Sequence, residues 1–216
     1  YMETVWWLLK QIYNKDLMYK GYTIQPYSPK AGTGLSSHEV NQPGSYRDVT
    51  DTTVVAQFRS PLTPEGGIGS NSILKAFGLS SPPSEGLGEA FFLAWTTTPW
   101  TLPSNTALTV GPKIDYVLVR TFNQYTFLPS NVILAKNLVG KQFGKTFFES
   151  TEVADFENFK AGDKKIPFQI LAEAKGSDLV GIRYEQLMPL ALPYQNAEDA
   201  FRVIAGDFVT TEDGTG

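Results

Sequence analysis

The fold is decided by residues 90–107, which run Ala90-Phe91-Phe92-Leu93-Ala94-Trp95-Thr96-Thr97-Thr98-Pro99-Trp100-Thr101-Leu102-Pro103-Ser104-Asn105-Thr106-Ala107. The first five are apolar and have the length of a strand, and the β-branched threonines that follow favour an extended backbone. Pro99 and Pro103 lack a backbone donor and fix φ, so a central strand cannot continue past Thr98. The sequence therefore predicts a strand that ends near Thr98 and is followed by a turn.

Hydroxyl groups are concentrated at the end of this predicted strand. If these hydroxyl groups point into one recess, they could orient water or form hydrogen bonds with a polyhydroxylated ligand without any charged group. The alternative is that the threonines cap their own backbone, as Ser and Thr commonly do at turns. Trp95 and Trp100 could each stack on an unpaired base, but core packing is favoured for both because tryptophan is more often buried than exposed.

Candidate strands dominate the rest of the chain. Alternating side chains predict a strand over residues 54–59. Further candidates are residues 108–110, 116–121, 131–135, 166–171 and 202–209. The helical spacing of Val5, Leu8, Leu9 and Ile12 predicts one amphipathic helix over residues 3–20. This balance favours a β-rich α+β or barrel-like module over alternating βαβ units.

Other segments are expected to be irregular. Residues 61–88 are rich in Gly, Pro and Ser apart from a short apolar piece at 73–77, which predicts a loop excursion. The glycines at 66–69 and 86–88 lack the Lys-Ser/Thr pair of a phosphate loop. Residues 178–179 and 184–185 are predicted to lie in loops.

Composition excludes several classes of protein. The 216 residues are 42% hydrophobic and 13% aromatic, enough for a sizeable core. A net charge of −4 provides no general attraction to phosphates, so any RNA contact must be local. The absence of cysteine excludes disulfides, thiolate nucleophiles and cysteine-bound zinc, and suits a cytoplasmic protein.

The sequence predicts no metal site, no membrane-spanning segment and no catalytic triad. The acidic pairs at 155/157, 198/199 and 212/213 have no histidine beside them and fit solvated surfaces better than a metal site. The apolar run at residues 5–9 is too short for a membrane span or a signal sequence. The lone His38 has no nucleophile motif to join. Two sparse lysine strips, at residues 136–145 and 160–165, fit ordinary surface lysines better than contacts to a nucleic-acid backbone.

The stretch Thr-Thr-Thr-Pro-Trp-Thr-Leu-Pro-Ser-Asn at residues 96–105 resembles the threonine-rich motif of the editing domain, called connective peptide 1, of isoleucyl-tRNA synthetases. The related valine and leucine enzymes carry an arginine after the paired threonines, so Thr98 favours the isoleucine family. Residues 3–7, 27–40, 176–185 and 211–216 are also similar to family segments, in family order. The resemblance therefore covers nearly the whole chain.

The resemblance implies a domain organisation and a site. Residues 1–45 would be a helix and connector from the catalytic core, and residues 46–216 the barrel-like editing domain, truncated at its C-terminal end. Thr96, Thr97 and Thr98 would be catalytic, holding the terminal ribose, the attacking water or the ester carbonyl. Trp95, Trp100 and Asn105 would bind the substrate or fix its loop. The reaction would be hydrolysis of valine wrongly esterified to isoleucine tRNA.

The resemblance also sets the expected partners and limits. The partners would be the valine-bearing 3′ end of isoleucine tRNA and the remainder of the synthetase, with no membrane. No cofactor is expected here, since the family's His-x-Gly-His and Lys-Met-Ser-Lys-Ser motifs for ATP, used with magnesium, do not occur. The family's histidine and aspartate would follow Gly216, so weak or absent hydrolysis is expected from the isolated chain. The competing function is a noncatalytic module that binds the tRNA 3′ end or another partner.

Overall fold

The computed structural model describes residues 1–61, 72–81 and 89–216. They form two compact units, Tyr1–Thr50 and Asp51–Gly216. Most of the excursion predicted over residues 61–88, with its glycine clusters, lies outside the described residues. The apolar piece within it forms a short helix, as given below.

The first unit contains helix α1 (Met2–Tyr13), a two-stranded antiparallel ribbon of β1 (Tyr27–Ser28) and β2 (Thr33–Gly34), and the short helix α2 (Ser37–Val40). Helix α1 is shorter than predicted, because Asp16 adopts a left-handed φ of 55° that a helix cannot accommodate. None of its residues is buried. Its tryptophans remain open to solvent, with Trp6 71% exposed.

Helix α2 begins with a reciprocal cap between Ser36 and Glu39. The Glu39 amide donates to the Ser36 hydroxyl at 3.3 Å, while the Ser36 amide and hydroxyl donate to the Glu39 carboxylate at 2.7 and 2.8 Å. These donors favour the charged carboxylate and lower the pKa of Glu39. The carboxylate beside His38 therefore serves as a helix cap.

The described residues of the second unit form eight strands. They are β3 (Val54–Pro61), β4 (Glu89–Thr96), β5 (Ala107–Val110), β6 (Asp115–Phe122), β7 (Pro129–Ala135), β8 (Phe147–Glu149), β9 (Ile166–Lys175) and β10 (Arg202–Ala205). The helices are α3 (Ile73–Ala76), α4 (Val139–Gln142), α5 (Val153–Glu157) and α6 (Gly176–Leu179), with 3₁₀ helices at Pro99–Ser104, Lys136–Leu138 and Ala197–Asp199.

Six strands form one mixed sheet in the order β3-β4-β7-β6-β9-β8, and β5 pairs separately in parallel with β10. The predicted β-rich α+β class is confirmed. The barrel-like closure is not found in the described part of the chain, because β3 and β8 are the two edges of an open sheet. Every candidate strand is present, although β10 ends at Ala205, four residues early.

Residues 178–179, predicted in a loop, belong instead to α6. The Asp178 carboxylate accepts a hydrogen bond from the Lys175 amide at 3.2 Å, which satisfies a free amide at the start of that helix. The loop prediction was therefore wrong for these two residues.

Both faces of the sheet are covered by apolar side chains. One core contains Phe58, Phe92 and Ile133, and the other contains Val119 and Val132. Successive side chains on a strand point to opposite faces. Along β4, Ala90 and Phe92 therefore pack in the first core, while Phe91 and Leu93 pack against the second.

Candidate functional site

The threonine motif lies where β4 leaves the sheet. The strand ends at Thr96, two residues before the predicted end, and Pro99 opens the 3₁₀ helix Pro99–Ser104. A proline is well placed at the first helical position because that residue needs no amide donor. The predicted strand and turn are thus confirmed.

Thr96 and Thr98 lie together and also cap their own backbone. Their hydroxyl oxygens are 3.3 Å apart, and the Thr98 amide donates to the Thr96 hydroxyl at 3.0 Å. The Thr101 hydroxyl donates to the Thr98 carbonyl at 2.8 Å. Thr97 is exposed, and its hydroxyl has no hydrogen-bond partner among the described residues. The capping interpretation is therefore confirmed for Thr96, and this local capping brings the two hydroxyls together.

Asn105 fixes the far end of this loop. Its side-chain amide nitrogen donates to the Ala107 carbonyl at 2.9 Å, and its side-chain oxygen accepts from the Tyr184 hydroxyl at 2.6 Å. Tyr184 is buried and packs edge-on against Phe58, with ring centroids 5.3 Å apart. Burial raises the pKa of Tyr184, so it remains a protonated donor at neutral pH. The loop is therefore tied to the core.

The two tryptophans have different surroundings. Trp100 is 69% exposed and does not pack in a core. Trp95 is 40% exposed and, because it is one residue before Thr96 on the same strand, lies on the opposite face of the sheet. A methyl group placed on Gly214 would lie 3.3 Å from the Trp95 ring, so the ring covers the backbone of that glycine.

Thr215, which the sequence did not single out, contacts the strand that leads into the threonine loop. Strands β4 and β7 run parallel and pair at only two positions, Phe91 with Val132 and Phe92 with Ile133. Beyond them, the Thr215 hydroxyl accepts from the Trp95 amide at 3.3 Å and donates to the Leu93 carbonyl at 2.8 Å. Its own carbonyl accepts from the Ala135 amide at 2.8 Å. Thr215 therefore bridges the diverging strands.

The segment around Thr215 is anchored by side chains that follow β7. Gln142 donates to the Gly214 carbonyl at 3.1 Å, and Lys141 pairs with Asp213 at 3.1 Å. Asn137 donates to the Thr211 hydroxyl at 2.5 Å. Gly214 and Gly216 have φ values of 81° and 89°, which other residues rarely adopt. The Gly-Thr-Gly spacing was the sequence signal that could have marked this segment.

The first lysine strip is largely engaged within the chain. Lys136 pairs with Glu173 at 2.6 Å, and this carboxylate raises the pKa of Lys136. Lys141 holds the segment just described. Across the described residues, no group of three or more His, Asp or Glu side chains is placed to hold a metal ion. No described helix has the length and apolarity needed to span a membrane.

The site can supply neutral hydrogen bonds. Thr96 and Thr98 offer paired hydroxyls, Thr97 offers a free one, and no titratable side chain belongs to residues 95–105. Such a site can position water and stabilise a developing oxyanion. It has no general base of its own, so it suits a reactive ester better than an amide.

Similarity to known proteins identifies the family of the chain. The model of the family described as class I tRNA synthetases (I, L, M and V) matches residues 1–210. The chain belongs to this family. Over all 216 residues it is 58% identical to the isoleucine–tRNA ligase of Bacteroides fragilis, 57% to that of Cytophaga hutchinsonii and 40% to that of Clostridium tetani.

This class I synthetase chain covers 17% of the length of the first two relatives and 15% of the third. The match to these isoleucine–tRNA ligases includes both the threonine loop and residues 211–216, since it extends over the whole chain. The two segments that meet at Trp95 thus both lie in the part that is similar to those enzymes.

Proposed function

We propose that this chain is the editing region of an isoleucyl-tRNA synthetase, and that its threonine loop hydrolyses valine from wrongly charged isoleucine tRNA. The observation that carries the proposal is the 3.3 Å approach of the Thr96 and Thr98 hydroxyls, on a loop fixed through Asn105. The similarity to isoleucine–tRNA ligases supports the choice of tRNA.

The need for such a site is energetic. A hydrophobic pocket separates side chains that differ by one methylene only about 10–200-fold, a limit for which the isoleucine enzyme is itself the standard example. A second site that admits the smaller amino acid and hydrolyses it removes the remaining errors. Editing would therefore take place away from ATP and magnesium, which belong to the synthetic site of the parent enzyme.

The chemistry fits the residues. The ester at the tRNA 3′ end is activated, so an ordered water and neutral donors to the oxyanion suffice. In this proposal Thr96 and Thr98 hold the ester or the terminal ribose, Thr97 orients the water, and Asn105 fixes the loop. Trp95 lies on the opposite face of the sheet and supports the strand that carries the loop. The attacking water loses its proton to solvent, and the ribose oxygen leaves with a proton taken from solvent.

The proposal also covers the domain organisation of the chain. Residues 1–45 would belong with the catalytic core and residues 46–216 with the editing domain, within a cytoplasmic synthetase that binds tRNA. The division of the structure into units at residues 50 and 51 supports this placement.

The test is deacylation of valyl-tRNA and isoleucyl-tRNA, both charged on isoleucine tRNA. We expect selective loss of valine with the parent synthetase, and weaker loss with the same selectivity from this chain alone. The Thr97→Ala variant should lower the rate about 100-fold, because the attacking water would lose the hydroxyl that positions it. Thr151→Ala, a change at an exposed threonine after β8, is the matched control and should leave the rate unchanged. Equal rates for both esters, or equal rates in Thr97→Ala and Thr151→Ala, would overturn the proposal.

A second candidate function is noncatalytic binding of the tRNA 3′ end. The exposure of Trp100 favours it, because an open aromatic face can stack on an unpaired base. Binding of tRNA without turnover, reduced in Trp100→Ala, would support this function over hydrolysis. If neither turnover nor Trp100-dependent binding is observed, both functions are refuted.

A further inference from the structure

A cavity of about 570 Å³ opens on the face of the sheet opposite Thr96. Leu93 and Val132 form part of its wall, and both pack in or against the second core. Thr96 is three residues after Leu93 on β4, so its side chain points to the other face. The cavity is therefore separate from the threonine loop.

The wall of the cavity is uncharged. Its lining residues include no Asp, Glu, Lys, Arg or His among those the structure describes. Aromatic rings form one side, where Phe143 and Phe147 meet edge-to-face with centroids 5.0 Å apart. Phe143 also stacks on Phe168 at 4.7 Å, which holds its ring in place. This side favours a flat, neutral ligand over an ion.

Ser130 provides an unsatisfied polar group in this wall. It is 4% exposed, and its hydroxyl has no hydrogen-bond partner within the described part of the chain. Ser130 and Val132 are two residues apart on β7 and so share the face that lines the cavity. A buried hydroxyl without a partner costs about 1–3 kcal/mol, and a polar ligand atom in the cavity would remove that cost.

Two amide side chains add a donor and an acceptor. The Gln57 oxygen accepts from Asn123 at 3.4 Å, which leaves its nitrogen to donate. The Gln142 nitrogen donates to the Gly214 carbonyl at 3.1 Å, which leaves its oxygen to accept. Together with Ser130, the cavity offers donors and acceptors beside aromatic rings.

We propose that this cavity binds a nucleobase, carried either by a free nucleoside or by an unpaired nucleotide of an RNA strand. A base is flat and neutral, and its edge carries both donors and acceptors that match the amides and the Ser130 hydroxyl. Aromatic side chains make favourable contacts with its ring. The volume lies in the usual range for small-ligand sites, about 300–1,000 Å³. Charged phosphates would remain outside, in solvent.

The test is binding of adenosine, guanosine, cytidine and uridine, and of uncharged isoleucine tRNA, followed through the side-chain amide resonances of Gln57 and Gln142. We expect at least one nucleoside or the tRNA to shift these resonances. Binding of a nucleoside alone assigns the site to free nucleosides, whereas binding of the tRNA alone assigns it to an unpaired base. Both outcomes support the proposal.

Ser130→Ala gives the decisive comparison. Because it removes an unpartnered hydroxyl, we expect unchanged or higher thermal stability together with about 10-fold weaker binding. Ser177→Ala, at an exposed serine of α6, is the matched control and should bind as tightly as the unsubstituted chain. Gln57→Ala is a second variant and should also bind more weakly.

Two results would overturn the proposal. One is that none of the four nucleosides and the tRNA binds. The other is that Ser130→Ala and Gln57→Ala bind as tightly as the unsubstituted chain. Thr97→Ala should not alter this binding, so the editing proposal can fail independently.

Discussion

Replacing Thr215 with valine should loosen the sheet beside the threonine loop. Valine keeps the shape of threonine but removes the hydroxyl that bonds to the Leu93 carbonyl and the Trp95 amide. Thr215 is 4% exposed, so water cannot replace the hydroxyl at its own position. An unpaired buried group costs about 1–3 kcal/mol.

The net loss in the free energy of unfolding should be about 2 kcal/mol. For a domain of this size that loss lowers the melting temperature by about 4–8 °C. The assay is urea and thermal unfolding followed by circular dichroism, with amide hydrogen exchange at Trp95 as a local probe. Thr215→Ser is the control, because it keeps the hydroxyl and loses one methyl, worth about 0.8 kcal/mol. The reasoning is refuted if Thr215→Val is no less stable than Thr215→Ser, or if exchange at Trp95 is unchanged.

Three further predictions concern other contacts. Tyr184→Phe should lower the free energy of unfolding by about 1–2 kcal/mol, because the Asn105 oxygen loses its donor. Burial raises the pKa of Tyr184, so the stability it contributes is complete below the pKa of an unfolded tyrosine, about 10, and is lost as pH rises further. Urea unfolding at pH 8 and 10.5 should therefore show a smaller alkaline loss in Tyr184→Phe, and an equal loss would contradict this. Gly176→Ala should cost about 1–3 kcal/mol in the same assay, because the new methyl would lie 2.1 Å from the Gly111 carbonyl oxygen. Gly140→Ala, with nothing within 4 Å, is its control and should be neutral or slightly stabilising. Arg59→Met should cost about 1 kcal/mol at low salt and much less in 1 M NaCl, because the half-exposed ion pairs of Arg59 with Glu89 and Glu185 are screened. A loss that does not depend on salt would indicate packing instead.

Local patterns predicted the strands well. The end of β4 near Thr98 followed from Pro99, and alternation located β3, because these signals lie within a few residues of the structure they determine. The early end of α1 depended on the left-handed backbone at Asp16, which the apolar spacing of the helix does not encode. The open sheet was also beyond local reasoning, since strand order depends on pairings between distant segments.

The same distinction applies to the candidate site. Thr96 and Thr98 are neighbours in sequence, so their contact could be expected from a turn. The partner of Asn105 is 79 residues away, and the bond from Trp95 to Thr215 spans 120 residues. A repeating pattern of side chains along the sequence does not reveal contacts between residues so far apart. The sequence therefore indicated the loop but not the groups that hold it.

The bridge made by Thr215 also sets an order of events during synthesis. Trp95 leaves the ribosome 120 residues before Thr215, which at about 5–20 residues per second is roughly 6–24 s. Strand β3 precedes β4 and can pair with it at once, but the other edge of β4 around Leu93 and Trp95 stays unpaired until Thr215 emerges. An unpaired strand edge is a template for wrong pairing with other chains. The nascent protein should therefore depend most on chaperones during this interval, and ribosomes stalled before Thr215 should carry chains that aggregate through β4.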